Sequence, residues 1–256
     1  MRGEPVLEIR DLKIGFNGPN GLGWAVDGLS FDVMKGSWTS LVGRSGSGKS
    51  VTALSVTRLI RPDAVSGGIY WFGKDRAHID LLHADPEPLR QVRGREIATI
   101  FQDPGSSLNP VLTVGEQIGE VSPDKKTALD SLASLRIEDP ERVYRSYPHE
   151  LSGGMKQRVM IAMALCSGAN LIIADEPTTA LDPTTQAELV DLLVSLQKSR
   201  GLTLLFITHD LTLAKAVSDS VVIIERGRAV PADGEYAKRL FRAELAGVKP
   251  RSIIEV

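Results

Sequence analysis

A single cysteine, Cys166, stands in 256 residues. No intrachain disulfide can form, and Cys₄ zinc or iron–sulfur sites are excluded. A lone thiol fits a reducing compartment. Long apolar runs are also missing: a run such as Val159 to Cys166 falls far short of the ~20 residues that a membrane helix needs. The first ten residues, MRGEPVLEIR, lack the apolar core of a signal peptide. There is no excess of positive charge either. Thirty basic residues against 32 acidic ones leave a net charge of −2, which argues against binding nucleic acid through bulk charge. Together these absences predict a cytosolic chain, for which any membrane contact would come through a partner.

What is present is ordinary globular material, 42% hydrophobic and 24% charged, enough for a core without a disulfide or metal staple. Strand-like runs are read at Val6–Ile9, Leu29–Val33, Trp38–Val42, Ile69–Phe72, Ile97–Phe101, Leu171–Ala174, Thr203–Ile207 and Val221–Ile224. Several are continuous apolar runs, as in strands covered on both faces. Helical patterns fall at Lys49–Leu59, Gly154–Ser167, Thr184–Lys198 and Leu211–Val217. This alternation predicts an α/β fold with a mostly parallel sheet. The first ~35 residues differ: short strands around the Gly-rich turn Asn17–Gly23 suggest a small antiparallel β subdomain. Thr113–Val121, Asp124–Leu135 and Pro140–Arg145 read as short helices, so a helical insert interrupts the core.

Gly43-Arg44-Ser45-Gly46-Ser47-Gly48-Lys49-Ser50 matches G-x-x-x-x-G-K-[ST] in full, after a strand and before a helix. In that context the glycines let backbone N–H groups turn around an anion, and the helix start adds partial positive charge. Lys49 reaches the β- and γ-phosphates of a nucleotide, and the Ser50 hydroxyl can ligate Mg²⁺. Leu171-Ile172-Ile173-Ala174 is a buried strand ending in Asp175 and Glu176. Ligands in parallel sheets sit at such strand ends. There Asp175 would hold Mg²⁺ through water, and Glu176 would orient or deprotonate the attacking water.

A second helix start lies in Leu151-Ser152-Gly153-Gly154-Met155-Lys156-Gln157-Arg158, with Ser152 as candidate N-cap, 23 positions before Asp175. One ATP needs only one phosphate loop, which points the second start at another nucleotide. This LSGG-type signature resembles that of the ATP-binding cassette (ABC) ATPases. The resemblance runs from Leu7 to about Gly227 and implies a P-loop NTPase core with an inserted α-helical subdomain. The implied division is a core of residues 1–102 and 151–227, a helical insert of 103–150, and a short tail of 228–256.

The resemblance also implies roles. ATP and Mg²⁺ are the expected cofactors. The nucleotide would be held by Gly43, Arg44, Ser45, Gly46, Ser47, Gly48, Lys49, Ser50 and Val51, with Phe16 stacked on adenine and Trp24 as second choice. Gln102 would be the Q-loop glutamine, contacting Mg²⁺ and water. His209 would be the switch histidine, supporting Glu176. Ser152, Gly153, Gly154 and Gln157 would reach the nucleotide of a facing cassette, as would Asp182 of the D-loop Thr179-Ala180-Leu181-Asp182. Lys156 and Arg158 are usual for the family. His78, His83 and His149 read as surface or loop residues, Cys166 as core, and Met155, Met160 and Met163 as packing residues.

Two stretches narrow the resemblance: Gly94-Arg95-Glu96-Ile97 through Gln102-Asp103-Pro104 to Ser107-Leu108-Asn109-Pro110 and Ile118, and Tyr147-Pro148-His149-Glu150. They are similar to ATPase subunits of dipeptide, oligopeptide and nickel importers. The implied partners are two integral-membrane permeases, a second homologous ATPase (or another copy of this chain), and an extracytoplasmic solute-binding protein. The implied location is peripheral, on the cytoplasmic face of the inner membrane, with no nucleic acid. The insert looks shorter than usual for that subfamily, and the cysteine-bearing extension of many peptide-type members is missing. Soluble ABC proteins of ribosomes or DNA usually have two cassettes or a long coiled-coil insert, which this chain lacks; the QDP-x-x-SLNP stretch argues against an exporter.

Overall fold

A computed structural model describes residues 3–73, 78–179, 181–231 and 233–240. The chain divides into two compact units, Met1–His83 with Phe206–Val256, and Ala84–Leu205. The first unit opens with β1 (Pro5–Gly18), β2 (Gly21–Met34), β3 (Trp38–Val42), α1 (Lys49–Val56), β4 (Ala64–Phe72) and β5 (His78–Asp80). The second holds α2 (Pro86–Val92), β6 (Ile97–Ile100), α3 (Pro104–Ser107), α4 (Val114–Val121), α5 (Lys125–Ser134), α6 (Pro140–Arg145), α7 (Gly153–Cys166), β7 (Leu171–Asp175) and α8 (Pro183–Arg200). After β8 (Thr203–Thr208), the chain continues in the first unit with α9 (Leu211–Val217), β9 (Ser220–Glu225) and β10 (Arg228–Val230).

In the first unit, β1 pairs antiparallel with β2 on one side and with β4 on the other, and β5 borders β4. The buried Leu7, Ile9, Leu12 and Ile14 give β1 its inner face. The hairpin differs from the expected broad turn at Asn17–Gly23. Both strands run on to the two-residue turn Pro19–Asn20, with Phe16 opposite Gly23 and Gly18 opposite Gly21. Here glycine serves the ladder as well as the turn.

The parallel part begins with β3, all five residues of which are buried. It pairs with β9, with Val42 opposite Ile223. Trp38 packs against Phe206 with ring centroids 5.3 Å apart. Helix α1 ends at Val56 rather than Leu59, because Arg58 turns into a positive φ of 47°. Val42, Leu211, Ala214 and Ile223 form a buried cluster with Ala237 and Leu240 of the C-terminal segment. The rest of the expected tail, residues 241–256, lies outside the described residues, as does Ala180.

The second unit pairs β6 parallel with β7, from Ile97 opposite Leu171 to Ile100 opposite Ala174. Its helical run has well-marked starts. Thr113 and Glu116 form a reciprocal capping box on α4, while Asp124 and Asp139 cap α5 and α6. Helix α7 packs against α3, α4 and α5. The short helices α2 and α3, each opening on a proline, are additions to the elements expected from sequence. Among the described residues, no helix is long and apolar enough to cross a membrane.

Candidate nucleotide-binding site

The loop Gly43–Ser50 leaves the C-terminal end of β3 and enters α1. Two of its glycines have no room for a side chain. A Cβ on Gly43 would lie 2.4 Å from the Ile224 carbonyl oxygen, and one on Gly48 would lie 2.4 Å from that of Ala25. Gly48 also has φ 107° and Gly46 φ 75°, conformations that a Cβ disfavours. Gly48 is the N-cap of α1, and no side chain caps the helix there. Lys49 is only 4% exposed. Its Nζ donates to the carbonyl oxygens of Gly43 at 2.8 Å and Arg44 at 3.1 Å, so the ammonium is folded back over the loop. Ser47 Oγ is buried without a hydrogen-bond partner. A loop opened by glycines, an inward lysine and an orphaned hydroxyl suit a polyanion with many acceptor oxygens.

His209 is brought beside this loop. It follows directly on β8, whose last residue, Thr208, accepts a hydrogen bond from the Gly43 N–H at 3.4 Å. The His209 side chain is exposed, and the next residue, Asp210, caps α9 by accepting from Leu213 N–H at 2.7 Å. Phe16 is half-buried on β1. Trp24 is 43% exposed on β2 next to Ala25, the residue whose carbonyl abuts Gly48. Gly15 lies opposite Trp24 and Phe16 opposite Gly23, so the two aromatics occupy opposite faces of the hairpin.

In the second unit, the register of β6 and β7 sends Gln102 and the pair Asp175–Glu176 off the same C-terminal sheet edge. Asp175 is 7% exposed and Glu176 9%. Glu176 has a positive φ of 45°, a backbone state that is strained for a non-glycine residue and concentrates at functional sites. The Thr179 hydroxyl donates to Glu176 Oε2 at 2.9 Å, and Thr179 N–H donates to the Glu176 carbonyl at 3.2 Å. Thr179 thus orients the carboxylate, a role its position in the D-loop did not disclose.

The second helix start is built as expected. Ser152 is the N-cap of α7, its hydroxyl accepting from Met155 N–H at 3.3 Å. Ser152 and Gly153 are exposed, and a Cβ on Gly153 would meet nothing within 4 Å. Ser152, Gly153 and Gly154 line a cavity of about 450 Å³ together with Leu181, Asp182 and Thr185. The structure therefore joins the signature and D-loop residues on one surface. Asp182 caps α8 by accepting from Thr184 N–H and Thr185 N–H, each at 3.1 Å, and from the Thr185 hydroxyl at 2.6 Å. Those donors, the hydroxyl foremost, hold its carboxyl below the usual range. Gln157 does not share this surface. It is 1% exposed, its Nε2 buried without a partner. The helical period puts it on one stripe with the buried Met160, Ile161 and Ala164.

Residues 26–179 match the family described as "ABC transporter". The chain belongs to that family. The ABC-type relatives include the peptidoglycan transport ATP-binding protein YejF of Agrobacterium fabrum, 42% identical over 97% of this chain and 49% of that protein. The oligopeptide transport ATP-binding protein OppD of Bacillus subtilis is 43% identical over 88% of this chain and 65% of that one. The chain thus spans about half to two thirds of the length of these relatives. A solved ATP-binding cassette, dimeric and bound to ADP and Pi in a post-hydrolysis state, superposes with a TM-score of 0.75 at 27% identity, covering 88% of this chain and 97% of that one.

The remaining residues of the ABC cassette divide by what they touch. Arg158 is structural: its guanidinium donates to the carbonyls of Leu135 and Arg136 at the end of α5, at 3.1 and 3.2 Å, and to Glu188 of α8 at 3.0 Å. Cys166 is half-buried, its Sγ 3.8 Å from the Thr127 carbonyl, and burial pushes its thiol pKa up. His78 and His83 are exposed, and His149 stacks on Tyr147 at 5.7 Å.

Proposed function

We propose that the chain is the ATP-binding, ATP-hydrolysing subunit of a bacterial ABC importer of peptide-class solutes. The observation that carries this reading is the complete Gly43–Ser50 loop with its buried, inward-folded Lys49, in a chain over 40% identical to transport ATP-binding proteins for oligopeptides and peptidoglycan. Those names favour peptide-like cargo over a nickel chelate.

In this reading the loop amides and Lys49 grip the triphosphate. Mg²⁺ would be held by the Ser50 hydroxyl, Asp175 and Gln102. No group of three or more His, Cys, Asp or Glu side chains suited to a metal occurs among the described residues. Asp175, 7% exposed at the end of β7, is a carboxylate that would suit an ion of this kind. An ion held there would supply charge neutralisation on the phosphate oxygens. Glu176, aimed by Thr179, accepts a proton from the attacking water. His209 steadies the γ-phosphate side, and Phe16 supplies the adenine stack. The open start of α7, lined by Ser152, Gly153 and Gly154 beside Asp182, is offered to the nucleotide of a facing cassette, where a helix start stabilises a γ-phosphate.

The helical insert 103–150 is the lobe that faces two integral-membrane permeases on the cytoplasmic side of the membrane. A second ATPase of the same kind and an extracytoplasmic solute-binding protein complete the system. The test is Lys49→Ala. Expected is loss of most ATPase activity with weakened nucleotide binding; wild-type turnover at saturating ATP would remove Lys49 from the phosphate site and overturn the reading.

A further inference from the structure

The Gly43–Arg44 peptide unit is held at both ends. Its carbonyl, on Gly43, accepts from Lys49 Nζ at 2.8 Å. Its N–H, on Arg44, donates at 3.3 Å to the hydroxyl of Tyr236. These are 192 positions apart in the chain. Tyr236 belongs to the C-terminal segment, to which the family resemblance gives no task. The segment is anchored independently of that hydroxyl. Ala237 and Leu240 are buried against Val42, the last residue of β3, and against Leu211, Ala214 and Ile223. The Arg239 guanidinium lies 5.9 Å from the Tyr236 ring centroid and 3.6 Å from Glu225. The ring packs against this cluster, which includes the last residue of the strand that feeds the loop, and its hydroxyl is carried to one backbone amide.

We propose that Tyr236 is a positioning residue for the nucleotide loop: its hydroxyl fixes the peptide plane that seats Lys49, and so makes the C-terminal segment part of the apparatus that readies the loop for ATP. A peptide whose N–H is bonded presents its carbonyl in one orientation, and hydrogen bonds on the two ends of one amide strengthen each other. With both in place the lysine is parked over the loop before ATP arrives. Without the hydroxyl the plane can rotate and the lysine leave its seat. The fraction of loops competent to bind falls, and apparent affinity falls by the same factor. Once ATP is bound, its phosphates fix the loop themselves, so the step that follows is spared.

This inference rests on the nucleotide reading of the loop. The test therefore pairs Tyr236→Phe with Lys49→Ala as control, each measured for ATP affinity, KM, kcat and thermal unfolding. Phe keeps the ring, its packing and the Arg239 contact. Expected for Tyr236→Phe is an ATP Kd and KM raised about 2- to 10-fold, the range for one neutral hydrogen bond. Its kcat should stay within about twofold and its Tm unchanged. Unchanged Kd and KM would overturn the proposal, as would a joint fall of kcat, affinity and Tm, which marks a merely structural residue. If Lys49→Ala too leaves binding and turnover at wild-type values, the functional reading itself has failed.

Discussion

The chain starts two glycine-flanked helices, α1 and α7, and they are finished in opposite ways. At α1 the loop is closed in by its own unit: a Cβ at Gly43 or Gly48 would strike a backbone oxygen at 2.4 Å, and Lys49 is buried. No side chain caps the helix. At α7 the first turn is already capped by Ser152, and Gly153 faces open space. The first start is a receptacle walled by the backbone of its own unit. The second is a surface that needs something brought to it. In the proposed reading the same short motif, glycines before a helix, would serve cis binding in one place and a contact in trans in the other.

The largest expected effect bears on both starts at once. Glu176→Gln should bind ATP yet hydrolyse it at least ~100-fold more slowly, as for loss of a general base. It should accumulate an ATP-bound dimer in which each α7 start stays on its partner's nucleotide. Turnover measured with radiolabelled ATP and dimer content by light scattering check this; normal turnover would shift the water to another group, with His209 first.

A glycine pair breaks the comparison more directly. Gly48→Ala forces a Cβ into a 2.4 Å contact at φ 107°. It should weaken ATP binding about 5- to 30-fold, the factor that matches a left-handed penalty of about 1–2 kcal/mol. Gly153→Ala places its methyl in open space and should leave binding at its own P-loop unchanged while raising helix stability by about 0.5–1 kcal/mol. Fluorescent-nucleotide titration and urea unfolding of the two variants distinguish them. Equal losses of binding would erase the contrast between the two helix starts.

The P-loop and the acidic strand end were legible in the sequence because each is a local string: glycine spacing, a flanking apolar strand, carboxylates at its end. The faces of helices were legible too, but the signature motif obscured one. Gln157 lies four residues before Ile161 and seven before Ala164, and that period marked it for burial. The hairpin turn is tighter than glycines at 18, 21 and 23 suggest, because Leu22 and Trp24 stand in an extended ladder. Helix α3, four residues long, is too short for any periodicity. Tyr236 could not be seen at all: nothing local ties a tail tyrosine to an amide near residue 44.

Smaller effects sharpen the α7 side. Ser152→Ala removes the cap and should cost about 1 kcal/mol in chemical unfolding. A loss that is larger, with ATP binding impaired in the isolated chain, would mean that Ser152 serves its own loop. Smaller again is the pH dependence of Asp182. Its folded carboxyl is held below its unfolded value by the Thr185 hydroxyl and the backbone N–H groups of Thr185 and Thr184. The stability it gives is present above the unfolded pKa, about 3.9, and is lost as pH falls through the lower folded value. Asp182→Asn should therefore flatten the acid limb of Tm against pH below about pH 4. An unchanged acid limb would remove Asp182 from the cap.

The division between a cis receptacle and a trans surface is decided most directly in mixed dimers that carry Gly153→Asp in one subunit only, with nucleotide trapped and assigned site by site. A carboxylate at that helix start would face the γ-phosphate bound to the other subunit. Expected is normal binding at the altered subunit's own P-loop and loss of hydrolysis at its partner's. Hydrolysis lost at the altered subunit's own P-loop, with the partner's site intact, would contradict it.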